Sequence, residues 1–351
     1  MTKASKQSKQ LKQDGWWILL MSSLLLLLVI WISIMFGSVN LQASLIFSVL
    51  KAKILGLATI VPLAQQDIIW ELRLPRVLLA AVVGAGLALS GTVMQSAVQN
   101  PLAEPFILGI ASGASVGAVT GILLEDLFLP SQGIAVCAFI GAIVATAIVL
   151  LLGGLGHTIS TVKLILAGAV VSALGTAIAN FIVYMAADTP GIQNAIFWMM
   201  GSLADAKWDN LFLPVLAVMT LLIYFMSQIR NLDALLMGDE VAITLGINTK
   251  RKRQLYMGLI ALLTGVLVAQ CGIIGFVGLV VPHAIRTMVG ASHRLLLPVS
   301  VLSGAIFLVL ADLLSRIVLP SGDLPIGILT ALIGAPLFMK LLFGNSRNFG
   351  G

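Results

Sequence analysis

WWILLMSSLLLLLVIWISIMF, Trp16 to Phe36, runs without a charged residue. At about 1.5 Å per residue a helix over it is about 30 Å long, the thickness of a bilayer's hydrocarbon core. The apolar region of a secretory signal is shorter and ends in a small-residue cleavage site, so this stretch reads as a retained membrane helix. Lys3, Lys6, Lys9 and Lys12 precede it, which predicts a cytoplasmic tail over residues 1–15. Similar apolar runs place spans near 74–94, 105–123, 133–153, 163–185, 208–228, 255–271, 273–290, 295–318 and 324–344. The seventh and eighth must be separate, because one helix from Leu255 to Val289 would be about 52 Å long; CGIIG, Cys271 to Gly275, is the expected break. The reading is an all-α polytopic membrane protein of about ten helices. It has a single membrane domain over 16–345 and a short tail over 346–351.

Composition agrees: 59% of the 351 residues are hydrophobic and 10% charged, against about 25% charged in soluble domains. The net charge of +6 comes from short clusters between apolar runs. No basic stripe with interleaved aromatics points to nucleic acid. With a cytoplasmic start, Lys51, Lys53, Arg73, Arg76, Lys207 and Arg316 fall outside and the remaining Lys and Arg inside, the bias expected of membrane topology. Arg73, Arg76 and Arg316 are then outer-face cations that topology alone does not explain. Cys137 and Cys271 lie singly in apolar runs, without a metal-ligand or disulfide spacing. His157, His283 and His293 are scattered, with no HExxH or paired-carboxylate constellation, so no metal site and no membrane enzyme is expected. No Gly-Lys dipeptide occurs, hence no phosphate-binding loop and no ATPase activity by that motif.

Within the third span Gly109, Gly113, Gly117 and Gly121 recur every fourth residue, a pattern that lets helix backbones approach closely in lipid. Ala80, Gly84 and Ala88 repeat it in the second span, and Gly168, Ser172 and Thr176 in the fifth. LQASLIFSVLKAKILG, between the first two spans, predicts an amphipathic helix on the outer surface. GIQNAIFWMMGSLADAKW, Gly191 to Trp208, predicts a surface or re-entrant helix, with Trp198 and Trp208 at the interface. Asp312 and Arg316 are spaced for a pair on one helix face. That reading weighs against a proton relay at Asp312, and few other ionisable residues sit mid-span to couple an ion gradient.

Between the sixth and seventh spans lies RNLDALLMGDEVAITLGINTKRKRQ, Arg230 to Gln254, the longest inner polar segment. Leu232, Leu235, Leu236 and Leu245 can form an apolar side, Gly238 and Gly246 punctuate two short helices, and Asp239 and Glu240 stand between them. Residues alone leave two readings open: a docking element for a partner, or an inner loop with a basic membrane anchor.

The long motifs LRLPRVLLAAVVGAGLALSGTVMQ (72–95), QNPLAEPFILGIASGASVGA (99–118), MGDEVAITLGI (237–247), GFVGLVVPHAIR (275–286) and LPIGILTALIGAPLF (324–338) occur in one order over nearly the whole chain. Together they resemble the FecCD family, permeases of binding-protein-dependent ABC importers for ferric siderophores, haem and cobalamin. The resemblance implies the type II ABC importer permease architecture in the bacterial inner membrane, with both termini cytoplasmic. It also implies cytoplasmic ATP-binding subunits, a periplasmic substrate-binding protein and a second permease copy, identical or paralogous. No cofactor is implied on this chain. Met237, Gly238, Asp239, Glu240, Ala242 and Gly246 would form the coupling helices that dock on the ATPase subunit; Val241 departs from the family's looser E-A-A-x-x-x-G pattern. Arg73, Arg76 and, by a looser match, Arg316 would meet acidic residues of the binding protein, charge-assisted contacts that suit outer-face cations. Ser160 and Thr161 would narrow the cytoplasmic end of a path between two copies, although they can equally cap a helix. Spans two to five and seven to ten would be inverted repeats. The expected cargo is an iron chelate, siderophore or haem, with cobalamin as the alternative. An ion-coupled secondary transporter and a partnerless channel are the rivals from other classes.

Overall fold

The computed structural model describes residues 3–37, 41–58, 60–123, 133–154, 161–186, 189–319 and 322–344. Among them every regular element is helical: α1 (Lys3–Met35), α2 (Ala43–Leu55), α3 (Leu63–Asp67), α4 (Leu74–Val98), α5 (Ile110–Leu123), α6 (Gly133–Gly153), α7 (Thr161–Met185), α8 (Thr189–Met199), α9 (Trp208–Ser227), α10 (Ile229–Leu236), α11 (Asp239–Thr244), α12 (Thr249–Cys271), α13 (Val277–Val289), α14 (His293–Ile317) and α15 (Ile326–Gly344). Seven segments are long and apolar enough to cross a bilayer, and α5, α13 and α15 supply shorter apolar helices. Each expected span therefore meets a helix, although several ends differ.

The differences have local causes. Residues expected as an N-terminal tail continue α1 from Lys3 without a break, since Lys, Gln and Leu are all good helix formers. The second span starts earlier than expected, because α3 passes through a π-turn, Ile68–Arg73, directly into α4. The third starts later. Pro105–Leu108 form a 3-10 turn closed by Gly109 at φ +74°, and α5 begins only at Ile110. Gly109 thus sits in the left-handed region that favours glycine, ahead of the helical stripe rather than in it. The seventh starts at Thr249, where the Asn248 side chain accepts the backbone N–H of Arg251 at 3.0 Å, so the basic run is the helix's first turn. The C-terminal tail, 346–351, lies outside the described residues.

α4 is the central element. It is apolar on all sides and buried over most of its length, as such a helix must be, and it packs against α14, α12, α13 and α9. Glycines set these contacts. A Cβ on Gly84 would collide with the carbonyl oxygen of Gly304 in α14, and one on Gly91 with that of Gly278 in α13. α5, α6 and α7 form a second group joined to α4 through α12. There Gly113 faces the backbone of Gly141, Gly117 that of Cys137, and Gly121 the Cys137 side chain.

The chain breaks between α12 and α13 at the expected place. Gly272 (φ +68°) leaves no room for a Cβ beside the Trp198 carbonyl, and Phe276 (φ +69°) opens α13. α5 and α13, the second members of the two expected repeats, are each only about 20 Å long at the usual helical rise. Their leading loops are partly enclosed by protein, with Ala103, Pro105 and Leu108 buried before α5 and Gly272 and Ile274 before α13, the setting in which irregular backbone is tolerated at membrane depth. α2 lies across the end where α4 begins, with Ile46, Val49 and Ala52 turned inward and Phe47, Ile54 and Leu55 exposed.

Candidate functional site

Because α4 runs 25 residues through the bundle, its two ends define two sites about 37 Å apart at the usual helical rise. At its start the three arginines singled out in the sequence come together. Arg73 donates from Nη1 to the carbonyl oxygens of Ile34 (2.7 Å) and Met35 (3.1 Å). Arg316 donates from Nη2 to the Ser33 carbonyl (3.0 Å) and hydroxyl (2.6 Å), and from Nη1 to the Phe36 carbonyl (3.2 Å). These carbonyls end α1, so two guanidinium groups satisfy acceptors that the helix itself leaves open, at the negative end of its dipole.

Arg76 turns the other way. Its Nε donates to Asp312 Oδ1 at 2.7 Å, its Nη1 pairs with Asp323, and its Nη2 approaches Ser315 Oγ at 3.3 Å. The fully buried Asp312 also has Oδ2 3.1 Å from Arg316 Nε, but that N–H points to the Asp312 backbone carbonyl, making the second contact an ion pair by proximity. The i,i+4 pair read from the sequence is thus one side of a three-residue arrangement. Arg73 and Arg316 are only 6% and 8% exposed. With Arg76, Asp323, Ile68, Leu72, Ala204 and Gly37 they line a cleft of about 270 Å³.

At the other end of α4 sits the 230–254 segment. Leu232 and Leu235 of α10 are buried against the bundle, as is Ala242 of α11. Gly238 (φ +115°) and Gly246 (φ +79°) bracket α11 with backbone that side chains disfavour. The two adjacent acids, Asp239 and Glu240, separate. Asp239 turns inward and takes a bidentate pair from Arg253 (2.9 and 2.7 Å) plus a bond from Gln99 Nε2 (3.1 Å). Glu240 is exposed. Arg253 also donates to the Ala97 carbonyl at 2.6 Å and Gln99 to that of Leu235 at 2.9 Å, which straps α10 and α11 onto the end of α4. Beside Glu240 and Thr244 the outward side carries a group of apolar residues: Met237 is 70% and Ile243 60% exposed, with Val241 and Leu245 next to them. Exposed apolar side chains gathered at one tip are the kind of surface that marks an interaction site. Gln99, Arg253 and Ile243 were not singled out from the sequence.

Between the two ends, the gate expectation cannot be placed: Ser160 lies outside the described residues, and only the backbone of Thr161, the first residue of α7, is described. α7 does carry an informative face. From its third turn on, Ala169, Ala173, Thr176, Ala177 and Asn180 share one side and are exposed, a side that Val162 and Leu166 continue towards the helix start. Small and polar residues on a bare helix face suit close helix contact or a watery path better than lipid tails. A partly buried carboxylate, Glu104, accepts the Phe276 backbone N–H at 2.9 Å. Glu104→Ala, which removes the acceptor for that N–H, is expected to lower the thermal midpoint in detergent by more than Glu104→Gln, which keeps it; equal losses would mean that this bond does not hold the turn into α13.

The FecCD transport family matches residues 25–344. A Halobacterium salinarum protein named cobalamin import system permease protein BtuC is 42% identical over 285 residues, covering 80% of this chain and 75% of the relative. A Vibrio cholerae protein named vitamin B12 import system permease protein BtuC is also 42% identical over 285 residues, covering 80% and 84%. A solved structure of an ABC transporter of metal-chelate type, in an inward-facing conformation, superposes with a TM-score of 0.82 at 33% identity, covering 93% of this chain and 99% of that one.

Proposed function

Because the chain belongs to the FecCD transport family, as the permease subunit of an ABC importer, we propose that its cargo is cobalamin or a close corrinoid. The observation that carries this reading is the 42% identity to two permeases named for cobalamin and vitamin B12 import. The iron chelate expected from the sequence gives way to its alternative on that ground. It stays as the second reading, supported by the 33% identical structure of metal-chelate type.

The proposed mechanism assigns each end a partner. The outer end is that of Arg73, Arg76 and Arg316, where acidic side chains of a binding protein enter the cleft and add charge-assisted bonds to guanidinium groups already held in place. ATP-binding subunits dock at the cytoplasmic end on Met237, Glu240 and Ile243, with Gly238, Asp239, Ala242 and Gly246 shaping the surface. A second copy covers the small and polar face of α7, and the path runs between the copies. Both termini are cytoplasmic, in an inner membrane. ATP binding and hydrolysis in the partner subunits bias two packings of the helices, and this chain performs no covalent chemistry.

The apolar tip makes the ATPase contact testable. Met237→Asp with Ile243→Asp places two charges in what would become a desolvated interface, where an unpaired charge costs several kcal/mol. The expected result is a folded permease that no longer retains ATP-binding subunits on purification. Full retention would remove the tip from the docking surface.

A further inference from the structure

A buried polar cluster joins the 230–254 segment to α4 and α14. His293, fully buried at the start of α14, lies between Asp233 of α10 and Ser96 of α4. Its Nδ1 is 2.6 Å from Asp233 Oδ1 and its Nε2 is 2.6 Å from Ser96 Oγ, which itself lies 3.1 Å from the Thr92 carbonyl. An ionised carboxylate can only accept, so Nδ1 carries a proton and donates to Asp233. The order Ser, His, Asp is that of a nucleophile triad, but Ser96 is wholly enclosed and no substrate reaches it. The role has to be mechanical.

Asp233 does a second thing. Ser292 stands at the N-cap of α14 without making a side-chain cap bond, and the first N–H groups of a helix need acceptors. Asp233 Oδ1 accepts the His293 backbone N–H at 2.8 Å, capping α14 from another helix and placing its charge at the positive end of the dipole. Burial opposes ionisation of Asp233, but bonds from the His293 ring and backbone, the His293 charge and the Ser292 side chain outweigh it and hold the carboxyl below its ordinary range. The carboxylate is therefore ionised at neutral pH, and its contribution to stability is lost only as pH falls through that lowered value.

Three helices meet at this one imidazole. α4 and α14 cross in backbone contact at Gly84 and Gly304, and at their far ends Arg76 on α4 pairs with Asp312 on α14. The pair is thus a strut pinned near both ends and at its crossing, with the arginine cleft at one end and α10 at the other. Among the described residues, the hydrogen bonds that join α10 to α14 pass through Asp233. The straps through Gln99 and Arg253 reach α4 and α12 instead.

We propose that Asp233, His293 and Ser96 are positioning residues for transport coupling, the link that carries movement of the 230–254 segment to the α4–α14 strut and through it to the arginine cleft. This rests on the reading of that segment as the ATPase docking element. The link explains why the docking segment is capped onto a helix that begins more than 50 residues further along the chain.

The test uses the complete complex, with ATP-binding subunits and binding protein, in proteoliposomes, and reads cargo accumulated per ATP hydrolysed. Asp233→Ala and His293→Ala are expected to assemble and keep basal hydrolysis while uptake per ATP falls about tenfold, within the usual span of coupling energies. Asp233→Asn, which keeps an acceptor for the His293 N–H, should fall between them and wild type. A purely structural role would instead lower assembly and leave uptake per ATP in the surviving complexes unchanged, which overturns the proposal. If the alanine variants do not assemble, Ser96→Ala decides, since it removes only a buried hydroxyl: reduced uptake per ATP sustains the link and an unchanged ratio overturns it. Failure of the underlying reading is recognised separately, because Met237→Asp with Ile243→Asp would then leave ATPase retention intact.

Discussion

Gly91→Leu is expected to abolish recovery of the folded chain, while Gly258→Ala, a glycine substitution in α12, leaves it unchanged or slightly more stable. The contrast follows from what each new side chain meets. At Gly91 even a methyl group would collide with the backbone carbonyl of Gly278, whereas nothing lies within 4 Å at Gly258. A flexible neighbour can yield; a carbonyl inside α13 can move only with its helix. Overpacking ordinarily costs about 1–3 kcal/mol, and here α4 is wedged from α13 along a contact that also seats α14, so the cost should exceed that range. Gly258→Ala instead gains the roughly 0.5–1 kcal/mol by which alanine is favoured in a helix. A monodisperse chromatographic peak and thermal midpoint in detergent measure both. Normal recovery of Gly91→Leu would mean that α4 and α13 do not cross this closely.

The second large effect concerns Asp312. Asp312→Ala removes the buried carboxylate that faces Arg76 at 2.7 Å and Arg316 at 3.1 Å, leaving two guanidinium groups with like charge and reduced compensation. Removing one partner of a buried pair usually costs about 3–5 kcal/mol. Arg76 would keep Asp323 and Arg316 the end of α1, which places the expected loss towards the lower end of that range. Asp312→Asn retains an acceptor for Arg76 and should lose less. Denaturation in detergent reads the difference, and a change below about 1 kcal/mol, the usual size for an exposed pair, would mean that this carboxylate is not buried between the arginines.

Much of the fold was legible because membrane solvent leaves a coarse signature. Apolar runs of bilayer length located the helices; length alone required a break between Leu255 and Val289, and CGIIG, Cys271 to Gly275, marked its place. The Asp312–Arg316 pair was visible from its i,i+4 spacing. Arg76, its second partner, was not, because 236 residues separate the two and no local pattern links them. For the same reason the sequence left Arg73 and Arg316 as unexplained outer cations, although they close the end of α1.

Arg253 could have been found. In the run Lys250 to Arg253 it lies nearest the centre of the face formed by Tyr256, Met257, Ile260 and Ala261, all buried in α12. That position marks it as the inward cation of the four. Gln99, Asp233 and His293 gave no such signal. Their roles depend on which helix ends meet in space, and the sequence has no period for that.

The measurement that tests the account most directly is accumulation of radiolabelled cyanocobalamin in proteoliposomes holding this permease with its ATP-binding subunits. The binding protein is supplied in the lumen or outside according to orientation, and a ferric siderophore serves as the competing cargo. The account predicts uptake of the corrinoid that requires both ATP and binding protein and that excess ferric siderophore leaves unchanged. Uptake that proceeds without ATP-binding subunits, driven by an ion gradient, would contradict it.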